Sequence, residues 1–221
     1  MIEGVVFDLD GTLLDTLDDI LDVVNHVFRQ EGLPPESREG VRLAVGRGVE
    51  NLVRKLVPKR SRNEEYVKKL SGMIRETYSE KGSVKTRPYP GIPRLIRKLS
   101  GQGMPMAVLT NKPHDSALES VEMHFGKEYF SVVSGADKIR PMKPSPGSAD
   151  PVLKKLGVAP DRIMMVGDSD VDMDTATVSG MVPVGVSWGY RDTDLLLERG
   201  AGHIVNEPYE ILKIIELGNQ G

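Results

Sequence analysis

The spacing of apolar residues along this chain changes twice. The first run, Val5-Val6-Phe7, is continuous, β-branched and aromatic, as in a strand buried on both faces. It stops at Asp8-Leu9-Asp10-Gly11-Thr12. From Leu17 the period lengthens, and Ile20, Leu21, Val24, Val27 and Phe28 follow at three- and four-residue steps, one face of a helix. Thr16 is the expected N-cap, with Asp18 and Asp19 in the first turn, where the macrodipole favours acids. Gly32, Pro34 and Pro35 end this helix. Two short helices are predicted between Glu36 and Leu56, divided at Gly46-Arg47-Gly48, and Pro58 closes the second. Another spans 63–81 with Tyr66, Leu70, Met73, Ile74 and Tyr78 apolar. No strand is expected between Thr16 and Lys81, so the stretch reads as a helical module of about 65 residues, small enough to need docking on something larger.

A turn-rich return linker over 82–91 leads into a different texture. Helices are predicted over Ile92 to Leu99, His114 to Phe125, Pro151 to Leu156, Val171 to Ser179, Leu195 to Glu198, and from Pro208 onward. Between them lie apolar strands: Pro105 to Thr110, Val132-Val133, Ile163 to Val166, Val182 to Val186, and an edge strand from His203 to Val205. Such alternation means a parallel sheet with helices on both faces, a Rossmann-like α/β core. The first strand belongs to that sheet. Residues 1–15 and 83–221 therefore form the core, and 16–82 an inserted all-helical cap.

Composition narrows the function classes only by exclusion. The 221 residues carry a net charge of −3, which gives no reason to expect nucleic acid as a partner. With no cysteine, disulfides and thiolate metal sites are ruled out. The N-terminus lacks a signal-peptide pattern and no apolar run reaches membrane-spanning length, so a cytoplasmic protein without a membrane partner is expected.

The candidate chemistry lies at the carboxyl ends of the strands, where sheets of this kind bind ligands. Asp8 and Asp10, two apart, would project from one face of an extended chain, and Gly11 lets the backbone turn tightly there. A hard cation with oxygen ligands, such as Mg²⁺, would reconcile two acids with a buried strand end. A solvated turn is the other reading, since Asp and Gly form such turns often. Thr110-Asn111-Lys112 follows a second strand, and Asp168-Ser169-Asp170-Val171-Asp172 a third. Lys143 sits in a loop stiffened by Pro141, Pro144 and Pro146. Each has a structural alternative: a helix cap for Thr110 and Asn111, a solvated loop for Lys143, first-turn acids for Asp168 and Asp172. Their arrival in order at one sheet edge favours a shared site.

Asp8-Leu9-Asp10-Gly11-Thr12, Thr110-Asn111, Lys143 and Gly167-Asp168-Ser169 with Asp172 resemble, in order, the four motifs of the haloacid dehalogenase superfamily. The resemblance runs from residue 5 to about 190 and includes the helical insertion as a cap. Tyr89-Pro90-Gly91 and Trp188-Gly189-Tyr190 make it most similar to the phosphoglycolate phosphatase group. The resemblance implies a Mg²⁺-dependent phosphatase acting on a small phosphorylated metabolite, with 2-phosphoglycolate the leading substrate. It implies Asp8 as nucleophile, forming an aspartyl-phosphate, and Asp10 as general acid and then base. Mg²⁺ would be held by the Asp8 carboxylate, the Asp10 backbone carbonyl and Asp168, with Asp172 ligating or supporting. Lys143, Thr110 and Asn111 would bind the phosphoryl group.

Rival readings are a β-phosphoglucomutase-like phosphosugar mutase, an inorganic pyrophosphatase of the same superfamily, and a catalytically silent sensor of metal or phosphate. An aspartate at position 10 argues against the dehalogenase and phosphonatase relatives, which have no alcohol leaving group to protonate. Arg47, between two glycines, is a candidate for gripping a substrate carboxylate, the alternative being a solvated turn arginine. Asp170 is assigned no ligand role. The four histidines have no metal-ligand spacing. Monomer and dimer remain open.

Overall fold

The structure, a computed structural model, describes residues 1–81, 83–137 and 141–218. Gly82, where the sequence reading ends the cap, lies outside them. β1 (Gly4–Phe7) is the centre of a sheet. It pairs in parallel with β4 (Met106–Pro113) on one side and β6 (Ile163–Gly167) on the other. β5 (Val132–Ala136) extends the first side, and β7 (Val182–Val186) and β8 (His203–Val205) the second. The order β5-β4-β1-β6-β7-β8 is parallel throughout. Chain order reverses direction between β1 and β6, and the crevice at such a switch is where doubly wound sheets bind ligands.

The core follows from strand periodicity. Val5 and Phe7 face one layer, in which α5 (Ile92–Gly101), α6 (His114–His124) and α10 (Tyr209–Gly218) bury Leu95, Ile96, Val121 and Ile211. Val6 points the opposite way, into a cluster with Val152 of α7 (Asp150–Leu156) and Ala176 of α8 (Asp170–Ser179). A short helix, α9 (Thr193–Glu198), precedes β8. Each β1 side chain thus lands in an apolar layer, which explains why no polar residue interrupts the run until Asp8.

Between β1 and β4 the chain leaves the sheet. α1 (Leu17–Gln30), α2 (Arg38–Ala44), α3 (Val49–Leu56) and α4 (Glu64–Lys81) pack around their own apolar cluster, with Val24, Phe28, Val41, Val53, Leu70 and Ile74 buried. One outsider joins them: Tyr190, which follows β7.

Several expectations require correction. Two very short strands were not anticipated, β2 (Leu14–Asp15) and β3 (Arg87–Pro88), paired antiparallel where the chain enters and leaves the helices. β4 runs three residues beyond Thr110, with its register shifting between Leu109 and Pro113. Thr16 stands at the N-cap of α1 but its side chain does not cap; its hydroxyl is 3.0 Å from that of Tyr190, whose oxygen also accepts the Thr16 N–H at 3.0 Å. Asp19 does more than complement the dipole. It is buried and accepts three hydrogen bonds, from the N–H groups of Lys85 and Thr86 and the Thr86 hydroxyl, tying the return segment to α1. No helix among the described residues is long and apolar enough to cross a membrane.

Candidate active site

Asp8 leaves the carboxyl end of β1, its N–H still donating to Val166 O of β6 at 2.9 Å. Asp168 leaves the end of β6 one strand away. Between them the backbone is interlocked. Gly11 has φ +89°, and a Cβ there would lie 2.8 Å from Asp168 Oδ1; a Cβ on Gly189 would lie 2.6 Å from Gly11 O. Side chains at either position would force apart the strand ends that carry the acids.

Lys143 organises the centre. Its ammonium lies 2.9 Å from Asp8 Oδ1 and donates to Asp172 Oδ1 at 2.6 Å, and its side chain is almost wholly buried. Asp172 is fully committed: its other oxygen accepts from the Ser169 N–H at 3.1 Å and the Ser169 hydroxyl at 2.6 Å, at the start of α8. Asp168 accepts from the Thr12 hydroxyl at 3.0 Å and the Tyr190 N–H at 2.8 Å. Asp8 Oδ1, buried beside Lys143, accepts no well-aligned hydrogen bond.

Asp10 has a partner that the sequence reading left without a role. Lys112 Nζ is 3.1 Å from Asp10 Oδ1, donates to Tyr78 Oη of α4 at 2.9 Å, and sits 4.4 Å from the centre of the Tyr78 ring. The shift in β4 turns Thr110, Asn111 and Lys112 into this edge, as irregular strand ends do. The signal was a lysine directly after Thr110-Asn111 at a buried strand end, where an unpaired cation is not tolerated.

Burial works against charge throughout. It pushes Asp8 up to about 8, with Asp172 and Asp168 adding to the rise and Lys143 opposing it. It pushes Asp168 up to about 7, Asp172 contributing, while Tyr190 and Thr12 oppose. Burial disfavours the charged lysines too, yet Asp172 and Asp8 outweigh it for Lys143, and Asp10 and Tyr78 for Lys112, so both ammoniums stay charged. With all four acids ionised, two ammoniums would leave two negative charges uncompensated, which is the cost that the raised Asp8 and Asp168 express. A divalent cation would supply that charge. Asp8, Asp168 and Asp172 can each turn one oxygen toward a common point, these atoms lying within 4.8 Å of one another. The buried Asp8 and Asp168 carboxylates, raised and not fully compensated, fit such an ion; Asp172, with both oxygens engaged, fits support of Lys143.

The remaining candidates divide. The Thr110 hydroxyl accepts the Lys112 N–H at 3.2 Å and lines the cavity. The Asn111 side chain is turned elsewhere: it accepts the Lys143 N–H at 2.9 Å and donates to Lys143 O at 3.0 Å and to Gly46 O at 2.9 Å. It holds the Lys143 loop and touches the cap rather than presenting its amide to a phosphoryl group. Arg47 is partly exposed and is not a wall of the cavity. It donates to Asp170 Oδ2 at 2.7 Å, joining the α2–α3 loop to the start of α8. Arg191, overlooked in the sequence, donates to Arg42 O at 2.7 Å and Val45 O at 2.6 Å, carbonyls that the end of α2 leaves unpaired.

Above the acids lies a cavity of about 860 Å³, its open mouth included. Asp8, Asp10, Thr110, Lys112 and Asp168 form its floor. Ile20, Val23, Val49, Leu52 and Ile74 of the helical module form an apolar roof, with Arg75 and Tyr78 as its polar members.

Comparison with known proteins agrees with this geometry. A family model described as haloacid dehalogenase-like hydrolase matches residues 5–186. The chain is 34% identical over 203 residues to a phosphoglycolate phosphatase of Neisseria meningitidis, covering 90% of this chain and 86% of that protein. It is 31% identical to a phosphoglycolate phosphatase of Chromobacterium violaceum, covering 98% of each. Among solved structures it resembles a putative phosphoglycolate phosphatase from Lactobacillus delbrueckii subsp. bulgaricus, with TM-score 0.88, 28% identity, and coverage of 96% and 98%.

Proposed function

The chain belongs to the haloacid dehalogenase-like hydrolase family, and from that premise we propose that it is a Mg²⁺-dependent phosphatase that hydrolyses 2-phosphoglycolate through an aspartyl-phosphate on Asp8. The observation that carries the reading is Lys143 wedged between Asp8 and Asp172, at a strand switch with Asp168 alongside. An anionic nucleophile approaching a phosphate dianion meets a like-charge cost of roughly 4 kcal/mol per charge pair at 4 Å and an effective dielectric of 20, about three decades of rate. A buried ammonium beside the attacking oxygen offsets it.

The Asp8 carboxylate forms a bond to phosphorus as the bond from phosphorus to the ester oxygen breaks. Asp10 delivers a proton to the departing alkoxide. Water then attacks the aspartyl-phosphate, Asp10 takes its proton, and inorganic phosphate and free Asp8 result. Lys143 neutralises phosphoryl charge throughout, Asp172 and Asn111 hold Lys143 in place, and the Thr110 hydroxyl orients a phosphoryl oxygen. Asp8, Asp168 and the Asp10 carbonyl would hold Mg²⁺, with Asp172 in support; when bound it supplies further positive charge against the phosphoryl oxygens. The helical roof, as a cap, excludes bulk water while the ester is cleaved.

The test is phosphate release from 2-phosphoglycolate and p-nitrophenyl phosphate, with Mg²⁺ and with chelator. Turnover is expected only with the metal, and Asp8→Asn abolishes it. Undiminished turnover in that variant would refute the nucleophile.

A further inference from the structure

We infer that Lys112 selects phosphate esters whose leaving group carries a carboxylate one carbon from the ester oxygen. The inference rests on Asp10 being the group that meets that oxygen, and it assigns the rest of the leaving group to a particular cation.

Three cationic side chains line the cavity: Arg75, Arg191 and Lys112. The Arg191 guanidinium is spent on the carbonyls of Arg42 and Val45, with Asp170 4.0 Å away. Arg75 is about half exposed and lies 3.6 Å from Glu50 across the roof, where water already serves both groups. Lys112 differs in each respect. Its side chain is 4% exposed, its ammonium is on the cavity floor, and it bonds Asp10 and the Tyr78 hydroxyl. An ammonium has three N–H donors: two are well used, on Asp10 Oδ1 and the Tyr78 hydroxyl, while the third reaches Asp10 Oδ2 only at 3.5 Å, a long contact that a carboxylate in the cavity would outcompete.

Position follows from the chemistry. Asp10 must come within about 3 Å of the ester oxygen to protonate it. Lys112 Nζ is itself 3.1 Å from Asp10 Oδ1. The ammonium therefore lies within two hydrogen-bond lengths, about 6 Å, of the ester oxygen. A carboxylate attached through a single carbon fills that gap with one charge-assisted bond. The apolar roof supplies no alternative: a carboxylate against Ile20, Val23 and Ile74 would lose its hydration without replacement. An uncharged alkyl group is tolerated by the roof but leaves the third donor of Lys112 with only its long contact to Asp10 Oδ2.

The experiment is steady-state kinetics of the Mg²⁺-loaded enzyme on 2-phosphoglycolate and on ethyl phosphate, which has the same two carbons and no leaving-group charge. The wild type is expected to favour 2-phosphoglycolate at least tenfold in kcat/KM, mainly through KM. In Lys112→Met that ratio should collapse to near one, and Lys112→Arg should restore part of it. An equal loss on both esters in Lys112→Met, with the ratio unchanged, would mean that Lys112 only positions Asp10, and would overturn the inference. Should the variants fail to fold, the wild type alone decides. Glycolate inhibiting at least tenfold more strongly than ethanol supports the assignment, and equal inhibition rejects it. Absence of Mg²⁺-dependent hydrolysis of either ester in the wild type would instead strike the phosphatase reading, and this inference with it.

Discussion

Asp8 and Asp168 occupy positions where an ionised carboxylate is costly, and that cost has a measurable pH signature. Both have folded values above the ordinary 3.8, at about 8 and about 7. Between pH 4 and those values the folded chain binds more protons than the unfolded one, so stability falls as pH rises through that window. The melting temperature of metal-free protein is therefore expected to drop between about pH 5 and 8, and Mg²⁺ should flatten the profile by stabilising the ionised forms. A metal-free profile that rises over this range would contradict it. Asp10→Asn should slow both formation and breakdown of the acyl phosphate by about 10²- to 10⁴-fold, read by rapid-quench phosphate release. Asp8, Asp10 and Asp168 stood out in the sequence because acids ending apolar runs are costly without a ligand, and Lys143 through its place in the ordered set of motifs that carries the resemblance. Lys112 was passed over because its partners, Asp10 and Tyr78, lie 102 and 34 residues away, so that its place at a buried strand end was its one local sign. For Arg47 the sequence offered a substrate grip or a solvated turn and not its ion pair, because its acid, Asp170, is 123 residues off.

At the scale of elements, helices and long strands declared themselves through period. β2 and β3 could not, since two residues carry no period, and what pairs them is the geometry of the crossing. The end of β4 was read too short because Asn111-Lys112 is polar and Pro113 follows, yet the Asn111 and Lys112 side chains are buried by the site they build. Asp19 shows what one side chain can do for such a joint. It satisfies the backbone of Lys85 and Thr86 just before β3, where neither strand nor helix would. Asp19→Ala should lower unfolding free energy by about 2–4 kcal/mol, since it strands buried donors of a charged acceptor. Urea denaturation measures this; a loss below about 0.5 kcal/mol would show that the return segment is held by packing alone. Tyr190→Phe removes the hydroxyl shared with Thr16 and should cost about 1 kcal/mol, without displacing the N–H that holds Asp168.

For the whole molecule, the question is how firmly the helical roof is held over the acids. The joining contacts are mostly polar: Arg47 to Asp170, Arg191 to the end of α2, Arg42 to Tyr190 O, and Asn111 to Gly46 O. Exposed ion pairs contribute about 0–1 kcal/mol and weaken with salt. Raising ionic strength from about 0.05 to 0.5 M should therefore raise KM a few-fold in the wild type, and less in Asp170→Asn, whose latch is already broken. Equal salt responses would show that Arg47 and Asp170 take no part in closure. The two-stranded ribbon has a wider consequence. Because Leu14 faces Pro88 and Asp15 faces Arg87, the chain departs and returns through a doorway of two residue pairs. Whatever stands beyond that doorway can be enlarged, trimmed or exchanged while every strand of the sheet keeps its neighbour. Selectivity can then diversify by grafting at a single seam, leaving the machinery that breaks the phosphate ester untouched.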